Sequence, residues 1–323
     1  MKIKIFSTLG PSSLNKDFLK FCKNKVYLLR INLSHVNVIN LPKIIKLIRR
    51  YSKIKICIDT EGAQIRTKVK KNFHLKKNQY LKLYRKRNKF NLYPETVFDQ
   101  LKKNDILDIG FKGLKLKIVK KYKDFIKIKA ITPGTLENNK GAHLSNRLIQ
   151  LNYLTDKDFA AIEIAKKMKI DTFALSFTNS EYDIIKFKKL LPKARKIYKI
   201  ETKSAVKSID KMLKLGQEFL IDRFDLSKSV NLEKIPLIQK QIILLGNTKR
   251  KKIYVATNFL ESMINNSIPT AGEVNDIFTS LDTGASGLVL AAETAIGKYP
   301  KECVKFLLRQ INVFSKYKGK KYV

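Results

Sequence analysis

The chain has 323 residues, 44% of them hydrophobic, with 67 lysines and arginines against 27 aspartates and glutamates and a formal charge of +40 at pH 7. That length can bury a sizeable α/β core with a smaller domain beside it, and the absence of any run of about 18 apolar residues argues against a membrane span. Lysines are spread over every segment, as in KKMKID and KKLLPKARK, and no arginine-rich arm, zinc finger or RNA-binding aromatic signature accompanies them, so the charge reads as a solvated basic surface and nucleic acid is not an expected partner.

In chain order, MKIKIFSTLGPSS has charges inside its apolar stretch and no small-residue cleavage site, so it reads as a first strand and turn, not a leader. Apolar strand-like runs then recur at 2–8, 26–34, 53–60, 171–177, 196–202, 218–225, 252–258 and 287–293. Helix-like stretches follow most of them, among them VINLPKIIKLIRR, SAVKSIDKMLKL and KECVKFLLRQINVF. Capping-box spacing marks helix starts at Thr155/Asp158, Ser180/Asp183 and Thr270/Glu273. One interval, 68–142, breaks the rhythm with short alternating runs (QYLKLYR, LKLKIVKKY, FIKIKAIT) that suggest a small β-rich insertion. The expected fold is α/β: a (β/α)8 TIM-type barrel from 1–67 and 143–323, with a lid domain inserted after the third strand at 68–142. Cys22, Cys57 and Cys303 lack metal-ligand spacing and read as buried free thiols of a reducing cytoplasm.

Barrels of this type carry their chemistry at the C-terminal ends of the strands, so polar residues there are the candidates. The second run ends in Arg30, Asn32 and Ser34, spaced by two and so on one face. The third ends in Asp59 and Thr60, with Arg66 shortly after; the fifth ends in Lys199 and Glu201. The sixth, read as strand to its end, offers Arg223 and Asp225 two apart, and Thr257 and Glu293 close the seventh and eighth. Glu201 and Asp225 are hard oxygen ligands suited to Mg²⁺ with open positions for water and substrate. Lys199, Arg30 and Arg66 are cationic donors suited to a phosphoryl group. Together they point to phosphoryl transfer, in which positioning and charge stabilisation dominate.

STLGPSS, LRINLSH, IDTEGAQIRT, KGAHL, LTDKD, ALSF, KIET, DRFDL, ATNFLESMI, PTAGEVND and AAETAIGKYP follow one another along most of the chain, and in this order and spacing the sequence resembles the pyruvate kinase family. The resemblance implies transfer of a phosphoryl group from phosphoenolpyruvate to ADP, giving pyruvate and ATP, with the 68–142 insertion as a lid over the nucleotide. It implies that Glu201 and Asp225 hold Mg²⁺, and that Lys199 stabilises the phosphoryl group and the enolate. Arg30 and Arg66 would contact phosphates. Asn32, Ser34, Asp59 and Thr60 match K⁺ ligands, and Thr257 matches a residue beside the enolate carbon. Arg30, Asn32, His35 and Lys140 match nucleotide contacts.

Phe224 stands where the family has a glycine whose N–H lies against the substrate carboxylate, and Gln64 stands where a glutamate is tied to K⁺ dependence. The chain closes on YKGKKYV without the family's C-terminal domain, which implies no effector control of that type and a possible homo-oligomer through the barrel. The competing expectation is a weakly active or inactive relative kept as a binding protein.

Overall fold

The computed structural model describes residues 3–62, 64–86, 88–110, 113–145, 147, 149 and 151–317. Lys2 and the closing 318–323 of the sequence reading lie outside them. The chain divides into two compact units, 1–62 with 156–323, and 63–155; the expected 68–142 falls within the second.

In the first unit eight parallel strands close into a barrel in sequential order: β1 (Lys4–Thr8), β2 (Leu28–Asn32), β3 (Lys55–Asp59), β4 (Thr172–Leu175), β5 (Arg195–Ile200), β6 (Glu218–Asp222), β7 (Lys252–Ala256) and β8 (Gly287–Leu290). Helices follow them: α1 (Lys16–Phe21), α2 (Leu41–Tyr51), α3 (Asp156–Lys167), α4 (Glu181–Leu190), α5 (Lys203–Leu215), α6 (Ile235–Thr248), α7 (Ala271–Asp282) and α8 (Pro300–Tyr317). Each helix is amphipathic for a local reason. In α2, Leu41, Ile45 and Ile48 recur on one buried face, and proline in the first turn costs no hydrogen bond. In α5, Ala205, Ile209, Met212 and Leu213 are buried, and Thr202 caps the start by accepting from Ala205 N. The boxes at Ser180/Asp183 and Thr270/Glu273 form as spaced. No helix among the described residues is long and apolar enough to cross a membrane.

Alternation along the strands sorts the barrel interior into layers. The middle layer is apolar: Phe6, Leu28, Cys57, Ala174, Ile197, Leu220, Tyr254, Ala256 and Val289 form one buried cluster drawn from all eight strands. Truncating a filled position such as Leu220 to alanine is expected to cost about 2–5 kcal/mol. Two residues further along, the same faces carry Thr8, Arg30, Asp59, Ser176, Lys199 and Asp222, and all six are buried. At the opposite end, Glu218 receives both Arg195 Nε (3.0 Å) and the Tyr254 hydroxyl (2.8 Å), a buried polar plug beneath the apolar layer.

The second unit is a closed seven-stranded barrel plus a two-stranded sheet, packed around its own core of Leu83, Leu107, Leu116, Ile118, Ile126 and Ile128 among others. The alternating runs read from the sequence are its strands Tyr80–Tyr84, Leu114–Lys121 and Phe125–Ala130. Their lysines lie outward over aromatic rings, Lys82 over Phe125 at 4.4 Å and Lys127 over Tyr80 at 4.6 Å.

Candidate active site

The polar layer is organised around Lys199. Because β5 alternates, Ile197 fills the apolar layer and Lys199 stands above it, 3% exposed. Its ammonium lies 2.7 Å from Glu201, 3.4 Å from Asp59 and 3.6 Å from Asp222, and donates to Ser176 Oγ at 3.2 Å. Arg30, on β2, donates through Nε to Asp59 Oδ2 at 2.5 Å and through Nη1 to Thr8 Oγ1 at 2.9 Å. Asp59 also accepts from Ser176 Oγ at 3.1 Å. Two cations and three carboxylates thus share a nearly water-free layer, where unpaired charge is expensive.

The titration of these groups follows from that crowding. Burial opposes the charged form of Lys199, but Asp59 and Glu201 outweigh it and hold its pKa above the ordinary lysine value. Arg30 is likewise kept charged against burial by Asp59. Glu201 is pushed up to about 8, by burial first and then by Asp225, Asp222 and Asp59, against the pull of Lys199. Burial also raises Asp222, with Asp225 adding to it.

Glu201, Asp222 and Asp225 each offer a carboxylate oxygen within 4.8 Å of the others. Glu201 Oε2 accepts from Phe177 N at 2.6 Å, while its buried Oε1 has, among the described residues, no hydrogen-bond partner beyond the ion pair to Lys199. Three hard, mutually repelling oxygen donors with one buried oxygen unsatisfied fit a small divalent cation such as Mg²⁺. Asp225 also pairs with Lys228, whose ammonium lies 4.9 Å from the Phe224 ring.

Strand β6 ends at Asp222, and Arg223–Leu226 is a helical turn capped by the Asp222 side chain. Arg223 and Asp225 are therefore not strand neighbours on one face, as the sequence spacing suggested. The chain turns because Asp222 can accept the N–H of Asp225 (3.4 Å). The same turn explains how Phe224 is tolerated: it lies in right-handed helical backbone, where glycine's freedom is not needed. Its ring is 44% exposed, and its N–H donates to Thr257 Oγ1 at 3.0 Å.

The other candidates divide between the two units. Asn32 at the end of β2 and Asp59 at the end of β3 are directly paired across the sheet. Asn32 Oδ1 accepts from Ser34 N (3.0 Å), and Thr60 Oγ1 accepts from Ser176 N (2.9 Å). His35, itself exposed, ends the 3₁₀ turn Leu33–His35, whose Leu33 is buried. Arg66 and Lys140 belong to the second unit, where Arg66 Nη1 donates to the Asn139 carbonyl (3.3 Å) and Lys140 pairs with Glu137 (2.8 Å). Glu293 is structural: its buried carboxylate accepts from Ala291 N and Leu260 N and ties two loops together. Asp158 does similar work, accepting from Glu61 N (2.6 Å) and Gly62 N (3.0 Å), which holds the loop after β3 with Gly62 at φ +75°.

Sequence reading missed Thr8, Ser176 and Asp222 as members of the layer. Each sits two residues beyond an apolar interior residue (Phe6, Ala174, Leu220), the same signal that exposed Lys199.

Eight parallel strands closed in sequential order, with charged side chains gathered at their C-terminal ends, define an enzyme of the (β/α)8-barrel class. The profile of the pyruvate kinase barrel domain matches residues 1–304. The chain is 32% identical to the pyruvate kinase of Thermotoga maritima over 321 residues, covering 94% of this chain and 69% of that one. It is 29% identical to that of Thermococcus litoralis, covering 98% and 70%. The crystal structure of a pyruvate kinase from Cryptosporidium parvum superposes with a TM-score of 0.85 at 26% identity, covering 98% of this chain and 70% of that one. The chain belongs to the pyruvate kinase family, and its catalytic activity is the family's, that of a phosphotransferase.

Proposed function

We propose that the chain transfers the phosphoryl group of phosphoenolpyruvate to ADP with the polar layer of the first unit, Mg²⁺ being held by Glu201, Asp222 and Asp225. The observation that carries this reading is the convergence of those three carboxylates within 4.8 Å beside Lys199. When bound, the ion supplies Lewis acidity and neutralises charge on the phosphoryl oxygens.

The residues divide the remaining work. Lys199 stays protonated across the working pH range because Asp59 and Glu201 outweigh burial, so it serves as a fixed donor to the transferring phosphoryl group and to the enolate oxygen left behind. Arg30, clamped by Asp59 and Thr8, presents its guanidinium in one orientation and loses little entropy on meeting a phosphate. Thr257 and the Phe224 N–H, bonded to each other, hold the substrate, and the Thr257 hydroxyl relays the proton that the enolate needs. Asn32, Ser34, Asp59 and Thr60 bring four oxygen-bearing side chains to the ends of β2 and β3, a donor set suited to K⁺. The buried free cysteines Cys22, Cys57 and Cys303 support a reducing cytoplasm as its location.

The test is steady-state formation of ATP and pyruvate from phosphoenolpyruvate and ADP, with and without Mg²⁺ and K⁺. Turnover that needs Mg²⁺ and rises with K⁺ supports the whole reading. Turnover indifferent to K⁺ removes the monovalent site alone, and no ATP at any substrate concentration refutes the reading.

A further inference from the structure

Thr257 and Asn258 follow β7 with φ of +74° and +57°. A left-handed backbone is a genuine outlier for a β-branched residue and persists only where the surroundings impose it. What imposes it here is Arg223. Its Nε donates to the Thr257 carbonyl at 3.1 Å, and its Nη2 donates to the same oxygen. Nη1 reaches both carboxylate oxygens of Asp276, at 2.8 and 2.6 Å, and Gln239 Oε1 at 3.5 Å. The guanidinium also lies over the Phe259 ring, 4.3 Å from its centre. Gln239 is fixed in turn, since its amide donates to Ser280 Oγ at 3.0 Å. Asp276 and Ser280 lie one turn apart on α7, and Gln239 is on α6, so two helices behind the barrel hold one arginine against one strained carbonyl.

We propose that Arg223 and Asp276 are positioning residues for the reaction, acting through Thr257. The clamp on the Thr257 carbonyl rotates that residue so that its hydroxyl faces the substrate side. There the hydroxyl accepts from Phe224 N and directs its own proton toward Asp222 Oδ1 (3.4 Å) or the Ala256 carbonyl (2.5 Å). Arginine is required because a planar fork delivers two donors to one carbonyl and two contacts to one carboxylate at once; a lysine carries the same charge but only a point donor. The inference rests on the reading that Thr257 touches the substrate.

The experiment is a double-mutant cycle on the full chain with Arg223→Lys, Asp276→Asn and Thr257→Ala, reading kcat, KM for phosphoenolpyruvate and melting temperature. Arg223→Lys and Asp276→Asn are each expected to lower kcat about tenfold to a hundredfold, the scale of a displacement near 1 Å at a reacting group. In the Thr257→Ala background the further loss should shrink to less than about twofold, because the hydroxyl they position is gone. Losses that multiply undiminished in that background overturn the proposal while leaving Thr257 as a substrate contact. Full turnover in Thr257→Ala alone overturns the Thr257 reading and the proposal with it. A kcat loss in Asp276→Asn that simply follows its loss of folded protein also counts against positioning.

Discussion

Replacing Lys199 by methionine separates chemistry from stability in a way the geometry makes quantitative. The ammonium is almost fully buried and lies within 3.6 Å of three carboxylates. Removing one partner of a buried ionic group typically costs about 3–5 kcal/mol. Part of that cost is avoided, because burial already holds Glu201 mostly protonated at neutral pH, with its pKa at about 8, and removing the ammonium raises it further, while Asp59 keeps Arg30. The expected loss is therefore about 3 kcal/mol, or roughly 6 °C in melting temperature at about 2 °C per kcal/mol for a chain of this size. Turnover should fall a hundredfold or more with the loss of a preorganised charge. Thermal unfolding followed by circular dichroism in chelator, and again in excess Mg²⁺, measures the first effect; a coupled assay measures the second. Mg²⁺ should restore part of the melting temperature and none of the turnover. An unchanged melting temperature in chelator, or turnover within severalfold of the parent, refutes the account of Lys199 as hub of the layer.

Four further outcomes are expected. Glu201 is ionised reluctantly when folded, so its contribution to metal-free stability is greatest below the ordinary carboxylate range and is lost as pH rises toward about 8; Mg²⁺ binding at pH 7 should then release protons, detectable by calorimetry in buffers of different ionisation enthalpy, and release should fade above pH 9. Lys228→Met removes a competing cation from Asp225, a partly exposed pair worth at most about 1 kcal/mol, and should tighten Mg²⁺ binding by up to about fivefold by direct titration. Phe224→Gly should leave KM for phosphoenolpyruvate within about twofold, since the N–H remains and Phe224 is partly exposed; a tenfold change would mean that the ring reaches the substrate. Arg195→Met strips Glu218 of its guanidinium partner below the apolar layer and leaves it the Tyr254 hydroxyl, and should lower the melting temperature with kcat unchanged.

The barrel was legible because parallel strands and amphipathic helices write two different periods, and β1 to β8 fall within runs readable as apolar except that β5 opens one residue early, at Arg195. The pairing of Lys199 with Glu201 was legible for the same reason: residues two apart share a face. Asp222 carried the same signal, two residues beyond Leu220, but with 218–225 read as continuous strand the pair Arg223 and Asp225 drew the reading to the opposite face. Nothing short of the turn itself shows that the chain leaves the sheet at Asp222 and swings Asp225 back beside it. Thr257 was visible as a polar strand end, but its left-handed backbone was not. The Thr257 carbonyl is held by Arg223, which is oriented in turn by Asp276 and Gln239, remote in sequence and unremarkable as helix residues. Glu293 shows the reverse error: a strand-end carboxylate of the right type whose oxygens are consumed by backbone donors.

The hydrocarbon stratum from Phe6 to Val289 acts as an insulating floor. Charge on Lys199, Arg30, Asp59, Glu201 and Asp222 cannot be quenched by solvent from underneath, so it acts almost unscreened on a reactant at the rim above. Ions added to the bulk should then blunt capture at the rim far more than they weaken the grip on a reactant already seated above that floor.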